Sequence, residues 1–246
     1  MDPVVVIREG EGPEVLLVHG GASPEATWGA LAPLRARWTL AHVHRRGYPP
    51  SPPFPEGRQD FEVDAADVAS LLDGRPHVVA HSYGVLGTVI AATRAPERVR
   101  SLTLIEPPLY HVAPDDPEVA RLERLGNAVL TDGLETDPAT LREFLRIAGA
   151  PEVEDGPLPD NVAHGVRRAH GGRSPSEARP ALEPIRDAGI PALVASGGHA
   201  PGLERICDAL SEALDAQRVV APGAGHFVAA APGFVDRLEE FLAGAA

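Results

Sequence analysis

One stretch, Val78-Val79-Ala80-His81-Ser82-Tyr83-Gly84, constrains this chain more than any other. Residues 77–80 read as a short apolar strand and residues 85–93 as a helix, with little more than a serine between them. A serine on so sharp a strand-to-helix turn has its hydroxyl exposed at the tip and a helix N-terminus behind it. The turn is crowded, so the residues two before and two after the serine must be small; here they are Ala80 and Gly84. The pattern A-x-S-x-G departs from G-x-S-x-G by a single methyl. Taken alone it is weak evidence, because a serine in a turn needs no chemistry to explain it.

Apolar runs recur at residues 4–7, 15–18, 39–43, 78–80, 101–105, 192–195 and 218–220, with helical patterns between several of them. Residues 61–72 place Phe61, Val63, Ala65, Val68, Ala69, Leu71 and Leu72 near one side, and Gly74 stops the pattern. Residues 203–214 and 232–242 behave alike. Strands apolar throughout and alternating with helices imply a mainly parallel sheet with helices on both faces. The first run is expected to pair antiparallel at the edge. Residues 110–180 break the rhythm. Asp116-Pro117 and Asp137-Pro138 each put Asp at an N-cap and Pro at the first helical position, and no strong strand follows.

Composition narrows the chemistry. All 22 basic residues are arginine, so Schiff-base and lysine-nucleophile mechanisms are excluded. A net charge of −13 argues against nucleic acid or an anionic membrane as partner. No run of 18 apolar residues is present, and Met1-Asp2-Pro3-Val4 carries no basic n-region, so neither a membrane span nor a signal peptide is expected. Cys207 is the only cysteine, which suits the cytoplasm, and its place in a helical pattern makes it a core residue.

Two further pieces stand in order around the serine: His19-Gly20-Gly21 after residues 15–18, and Pro222-Gly223-Ala224-Gly225-His226 after residues 218–220. With these the chain resembles the α/β-hydrolase superfamily over nearly its whole length. The resemblance implies an α/β-hydrolase core formed by residues 1–109 and 181–246. A small helical lid, residues 110–180, would be inserted after the sixth strand. It implies Ser82 as nucleophile and His226 as its base, because a serine hydroxyl is a poor nucleophile at neutral pH. The backbone N–H groups of Tyr83 and Gly21 would form the oxyanion hole, with His19 packing beneath that loop. Singly, Ser82 reads as a turn residue and His226 as a capping histidine equally well; the combination favours catalysis.

The family's commonest acid follows the strand at residues 191–195, in a G-x-x-D pattern. Here that segment is Ser196-Gly197-Gly198-His199-Ala200, and Ala200 stands where the aspartate belongs. A second position known in the superfamily, the end of the strand at residues 101–105, holds Glu106, which would orient His226; its rival role is to cap the lid hinge. Substrate contacts are expected from Tyr110 and His111 at the lid entrance, and from His164 and Arg168, which share a helical face that is otherwise simply a solvated one. Trp28 is expected under the oxyanion loop, and the segment His44-Arg45-Arg46-Gly47 reads as structural. No cofactor and no metal are implied.

The reading is a serine hydrolase acting on a small-molecule acyl substrate, an ester, lactone or thioester, with no nucleic-acid or membrane partner. A lyase or a ligand-binding protein built on the same pocket is the rival, since fold does not fix chemistry. An epoxide or haloalkane hydrolase is disfavoured, because those carry aspartate where Ser82 stands.

Overall fold

The computed structural model describes residues 2–151 and 156–245. The apolar runs become the strands β1 (Val5–Glu9), β2 (Glu14–Val18), β3 (Thr39–His44), β4 (His77–His81), β5 (Ser101–Ile105), β6 (Ala192–Ser196) and β7 (Gln217–Val220). They form one sheet in the order β1-β3-β2-β4-β5-β6-β7. Every pairing is parallel except the expected edge pairing, where Val5 opposes His44 and Glu9 opposes Leu40.

Both faces of the sheet are covered. The side-chain period of two sends Leu16 and Val18 to one face and Val15 and Leu17 to the other, and all four are wholly buried. Against the first face pack α2 (Phe61–Ala69), α3 (Gly84–Arg94) and α8 (Pro201–Leu214), through Phe61, Val68, Leu86, Ile206 and Leu210. Against the second pack α1 (Pro24–Trp28) and α9 (Phe234–Gly244), through Trp28, Phe234, Leu238 and Phe241. Each such side chain contributes about 1.5–3 kcal/mol on leaving water. α2 ends at Ala69, short of the expected residue 72. The Ser70 hydroxyl donates back to the Asp67 carbonyl at 2.6 Å, and Leu71 N–H takes the tighter Val68 carbonyl at 2.9 Å.

Between β5 and β6 the chain inserts α4 (Pro117–Asp132), α5 (Pro138–Ile147) and α6 (Asp160–Ala169), followed by the short α7 (Glu183–Asp187). The insert therefore follows the fifth strand of this chain, where the resemblance implied the sixth, because the sheet has seven strands. Asp116 caps α4 by accepting from Glu118 and Val119 N–H, and Asp137 caps α5 by accepting from Thr140 N–H. The insert has a small core of its own in Val129, Leu141 and Val166. Of residues 110–180, residues 152–155 lie outside the described residues. Among the described residues, no helix is long and apolar enough to cross a membrane.

Candidate active site

Ser82 and Glu106 end two neighbouring parallel strands, β4 and β5, and share an unusual backbone. Ser82 has φ +53° and Glu106 has φ +52°, a left-handed conformation that L-residues adopt at a cost of about 1–2 kcal/mol. The sheet holds both in place: Ser82 N–H donates to the Ile105 carbonyl and Glu106 N–H to the Ala195 carbonyl, each at 2.9 Å. Strain kept by such cross-strand bonds is characteristic of functional positions. Behind the serine, Gly84 faces the His19 carbonyl so closely that an added Cβ would lie 2.3 Å from that oxygen. Gly20 meets Ser82 in the same way, at 2.6 Å from its Cβ. Gly84→Ala is accordingly expected to cost about 1–3 kcal/mol through overpacking. A melting curve unchanged from wild type would refute that.

Glu106 is wholly buried and fully engaged. Its Oε2 lies 3.1 Å from His226 Nδ1, and its Oε1 accepts Gly197 N–H at 2.7 Å. His226 sits in the loop after β7, and its backbone carbonyl accepts His81 Nε2–H at 2.9 Å, which ties that loop to the residue preceding the nucleophile. Burial pushes the Glu106 carboxyl up to about 7, opposed by Gly197 N–H and His199. Burial, reinforced by His199, pushes the His226 imidazole down to about 3. Both shifts disfavour charge, so at neutral pH His226 is an uncharged imidazole. With Nδ1–H directed at the carboxylate, its Nε2 carries a lone pair that can accept a proton.

The loop at Gly20-Gly21 is clamped from below. Arg45, fully buried, pairs with the equally buried Asp64 and donates from Nη1 to the Gly20 carbonyl at 2.9 Å. Tyr48 OH lies 2.8 Å from the Gly21 carbonyl and 3.2 Å from that of Gly20. His19 Nδ1–H points to the Gly20 carbonyl at 3.0 Å while its Nε2 accepts Arg45 N–H at 3.2 Å, a set of bonds that only the neutral ring satisfies. Burial and the Arg45 charge hold that ring well below the usual histidine range. Fixing these carbonyls fixes the peptide planes of the loop, and hence the direction of the N–H groups beside Ser82.

A family model for the alpha/beta hydrolase family matches residues 15–238. This chain belongs to that family. A pimeloyl-[acyl-carrier protein] methyl ester esterase of Methylococcus capsulatus is 31% identical over 179 residues, 70% of this chain and 65% of that protein. The chain thus spans just under two thirds of that relative, and 47% of the Aeromonas hydrophila protein of the same name. A 2-(acetamidomethylene)succinate hydrolase of Mesorhizobium japonicum is 29% identical over 91% of this chain and 84% of its own length. Among solved structures, a thermophilic esterase from Thermogutta terrifontis superposes with TM-score 0.70 at 20% identity, covering 98% of this chain and 93% of the other. An alpha/beta hydrolase from Sphaerobacter thermophilus superposes with TM-score 0.65 at 25% identity, covering 97% and 95%.

In this alpha/beta hydrolase the structure brings some of the expected site residues together and leaves others apart. Tyr83 begins α3, and its buried side chain donates to the Arg173 carbonyl at 2.8 Å, tying the insert to the elbow. Arg168 on α6 lies over the Tyr48 ring, 3.9 Å from its centroid, and so above the oxyanion clamp. His164 is exposed on the same helix. Two expected substrate contacts are corrected. Tyr110 is buried in the main core beneath α4, close to Gly126, because its ring is the apolar filler between insert and sheet. His111 hydrogen-bonds the Pro180 carbonyl at 3.2 Å and lines a separate cavity with Leu182, Glu183 and Arg186.

Three participants had no distinct sequence signal: Arg45, read only as structural, His81, and His199. Asp64, 19 residues further along on α2, is likewise visible as Arg45's partner only in space.

Proposed function

We propose that this alpha/beta hydrolase cleaves a small carboxylic ester, lactone or thioester through an acyl-enzyme on Ser82. The observation that carries the reading is the buried hydrogen bond between Glu106, at the end of β5, and His226, in the loop after β7, together with a strained serine at the end of the adjacent β4. His226 Nε2 takes the proton from the Ser82 hydroxyl as its oxygen attacks the acyl carbon, and Glu106 steadies the imidazolium that forms. The N–H groups of Gly21 and Tyr83 receive the developing oxyanion. His226 then protonates the leaving group, and a water activated by the same nitrogen releases the acid. No lysine, metal or cofactor enters any of these steps.

An anionic group on the substrate fits the guanidinium of Arg168, which among the described residues has no carboxylate within ion-pair distance, with His164 on the same helix. One relative's name specifies a succinate, a dicarboxylate, and others specify a methyl ester; the first supports an anionic group on the substrate and the second an ester bond. The helical insert would then act as the lid that presents Arg168. Arg168→Ala is expected to raise KM about tenfold for a half-ester of succinate, the loss of one charge-assisted hydrogen bond, and to leave a neutral acetate ester unaffected. Equal effects on both esters would remove Arg168 from recognition.

The reading is tested by a fluorophosphonate probe with Ser82→Ala as control. A single adduct on Ser82 in folded protein is expected. Absence of an adduct would mean that the serine is not activated, and ligand binding without hydrolysis would take its place.

A further inference from the structure

We propose that Glu106, His199 and His226 together bind a zinc-class divalent cation, and that the bound ion switches the serine off. The second half rests on the serine-hydrolase reading; the first does not. One ligand atom from each residue lies within 4.8 Å of the other two. Glu106 Oε2 is 3.1 Å from His226 Nδ1 and 3.8 Å from His199 Nδ1. Ligands of a tetrahedral zinc ion at bond lengths near 2.05 Å stand about 3.3 Å apart, and the two observed separations bracket that value. Two imidazoles and a carboxylate form a donor set that such an ion takes, leaving its fourth position for water.

The observation that singles out a cation is the state of His199. Its Nε2 lies 2.9 Å from the Ile147 carbonyl at the end of α5. A carbonyl only accepts, so this nitrogen carries the proton. Nδ1 points the other way, and among the described residues it is buried without a hydrogen-bond partner. It faces the Glu106 carboxylate at 3.8 Å, and a positive charge held between the nitrogen and the carboxylate satisfies both. The Ile147 carbonyl and the Gly197 N–H on Glu106 Oε1 already orient two of the ligands from behind, as outer partners do in metal sites.

The proton balance explains the inhibition. His199 needs no change, since its proton is already on Nε2. On His226 the cation takes the place of the Nδ1 proton, and that proton is carried on Nε2 instead, so the ring stays neutral. Nε2–H has no lone pair for the Ser82 proton, and Glu106 is drawn to the metal. Ser82 therefore loses its base although no atom of the serine is touched. Hydrolysis itself requires no metal in this scheme; the ion is an inhibitor.

The test titrates metal-free protein with Co²⁺, whose visible absorption reports tetrahedral nitrogen and oxygen coordination, and separately measures how Zn²⁺ slows fluorophosphonate labelling of Ser82. One cobalt per chain with intense visible bands is expected. Loss of one of three ligands in His199→Ala should weaken cobalt and zinc binding about 100-fold. The zinc concentration that halves labelling should rise with it, whatever that variant's own basal rate. His199→Phe, which fills the same space, guards against a folding defect, and melting curves accompany both. Wild-type protein with no single cobalt site, or bands that persist unchanged in both folded variants, would overturn the binding site. A cobalt site without slowed labelling would overturn the inhibition. Protein that never labels, with or without zinc, would refute the serine-hydrolase reading and leave the cobalt spectrum to judge the site alone.

Discussion

Glu106→Gln is expected to lower kcat/KM by about 10⁴, as amide replacement of a triad carboxylate does, and yet to raise the melting temperature in mildly alkaline buffer. The loss follows from the two bonds that Glu106 accepts, Gly197 N–H on Oε1 and His226 Nδ1–H on Oε2. A glutamine has one carbonyl oxygen. If Gly197 keeps it, the amide NH₂ faces His226 Nδ1 and forces the tautomer with the proton on Nε2, which cannot act as base. The gain in stability follows from linkage. Burial lifts the folded carboxyl to about 7 from its ordinary 4.5. The folded state thus binds the proton more tightly than the unfolded chain. Stability from this group is fully present below the unfolded value and is lost as pH rises through the folded one, by up to about 3 kcal/mol. Glutamine removes that ionisation, so its advantage should be present at about pH 8 and vanish at about pH 4. A variant that retains more than a tenth of wild-type activity would exclude Glu106 as the acid. The same proton governs wild-type turnover: labelling of Ser82 should rise with pH through about 7, as the carboxyl ionises and can steady the imidazolium.

Breaking the buried Arg45–Asp64 pair from one side is expected to destabilise the protein by about 3–5 kcal/mol, because the remaining charge has no water to turn to. Both side chains are 2% exposed. Burial pushes the Asp64 carboxyl above its ordinary value, whereas Asp64 holds the Arg45 guanidinium above its own against the same burial, so desolvation and attraction nearly balance across the pair. Replacing both, as Arg45→Met with Asp64→Leu, should therefore recover most of the lost stability. It should not recover activity, since the Gly20 carbonyl loses its Arg45 donor and the oxyanion loop its clamp. Denaturant melts of the two single variants and the double variant, beside their labelling rates, separate the two effects. A double variant that labels at the wild-type rate would show that the clamp does not position the loop.

The strands and the elbow were legible because each rests on local chemistry, whereas Glu106 and His226 entered through the family resemblance. Small residues at Ala80 and Gly84 are required by a turn that brings Gly84 against the His19 carbonyl. Apolar runs of three to five residues announce strands buried on both faces. Asp-Pro at the starts of α4 and α5 announced caps that the structure contains. Local chemistry also has a short reach. α2 stops early through a hydroxyl-to-backbone bond at Ser70 that helical periodicity does not register. Tyr110 and His111 stand beside each other at the lid entrance, yet one fills the core and the other turns to Pro180.

What the chain determined by itself is therefore the framework, since turn sterics, side-chain period and capping act over a few residues. The resemblance pointed to Glu106, but the tertiary structure brought it against His226, 120 residues away, and alone decided which arginine clamps the Gly20 carbonyl. It alone placed His199 Nδ1 against that carboxylate. These are contacts between strand ends and loops far apart in sequence. Their pairing is set by sheet order and by the desolvation of charges, and neither leaves a periodic trace in the order of the residues.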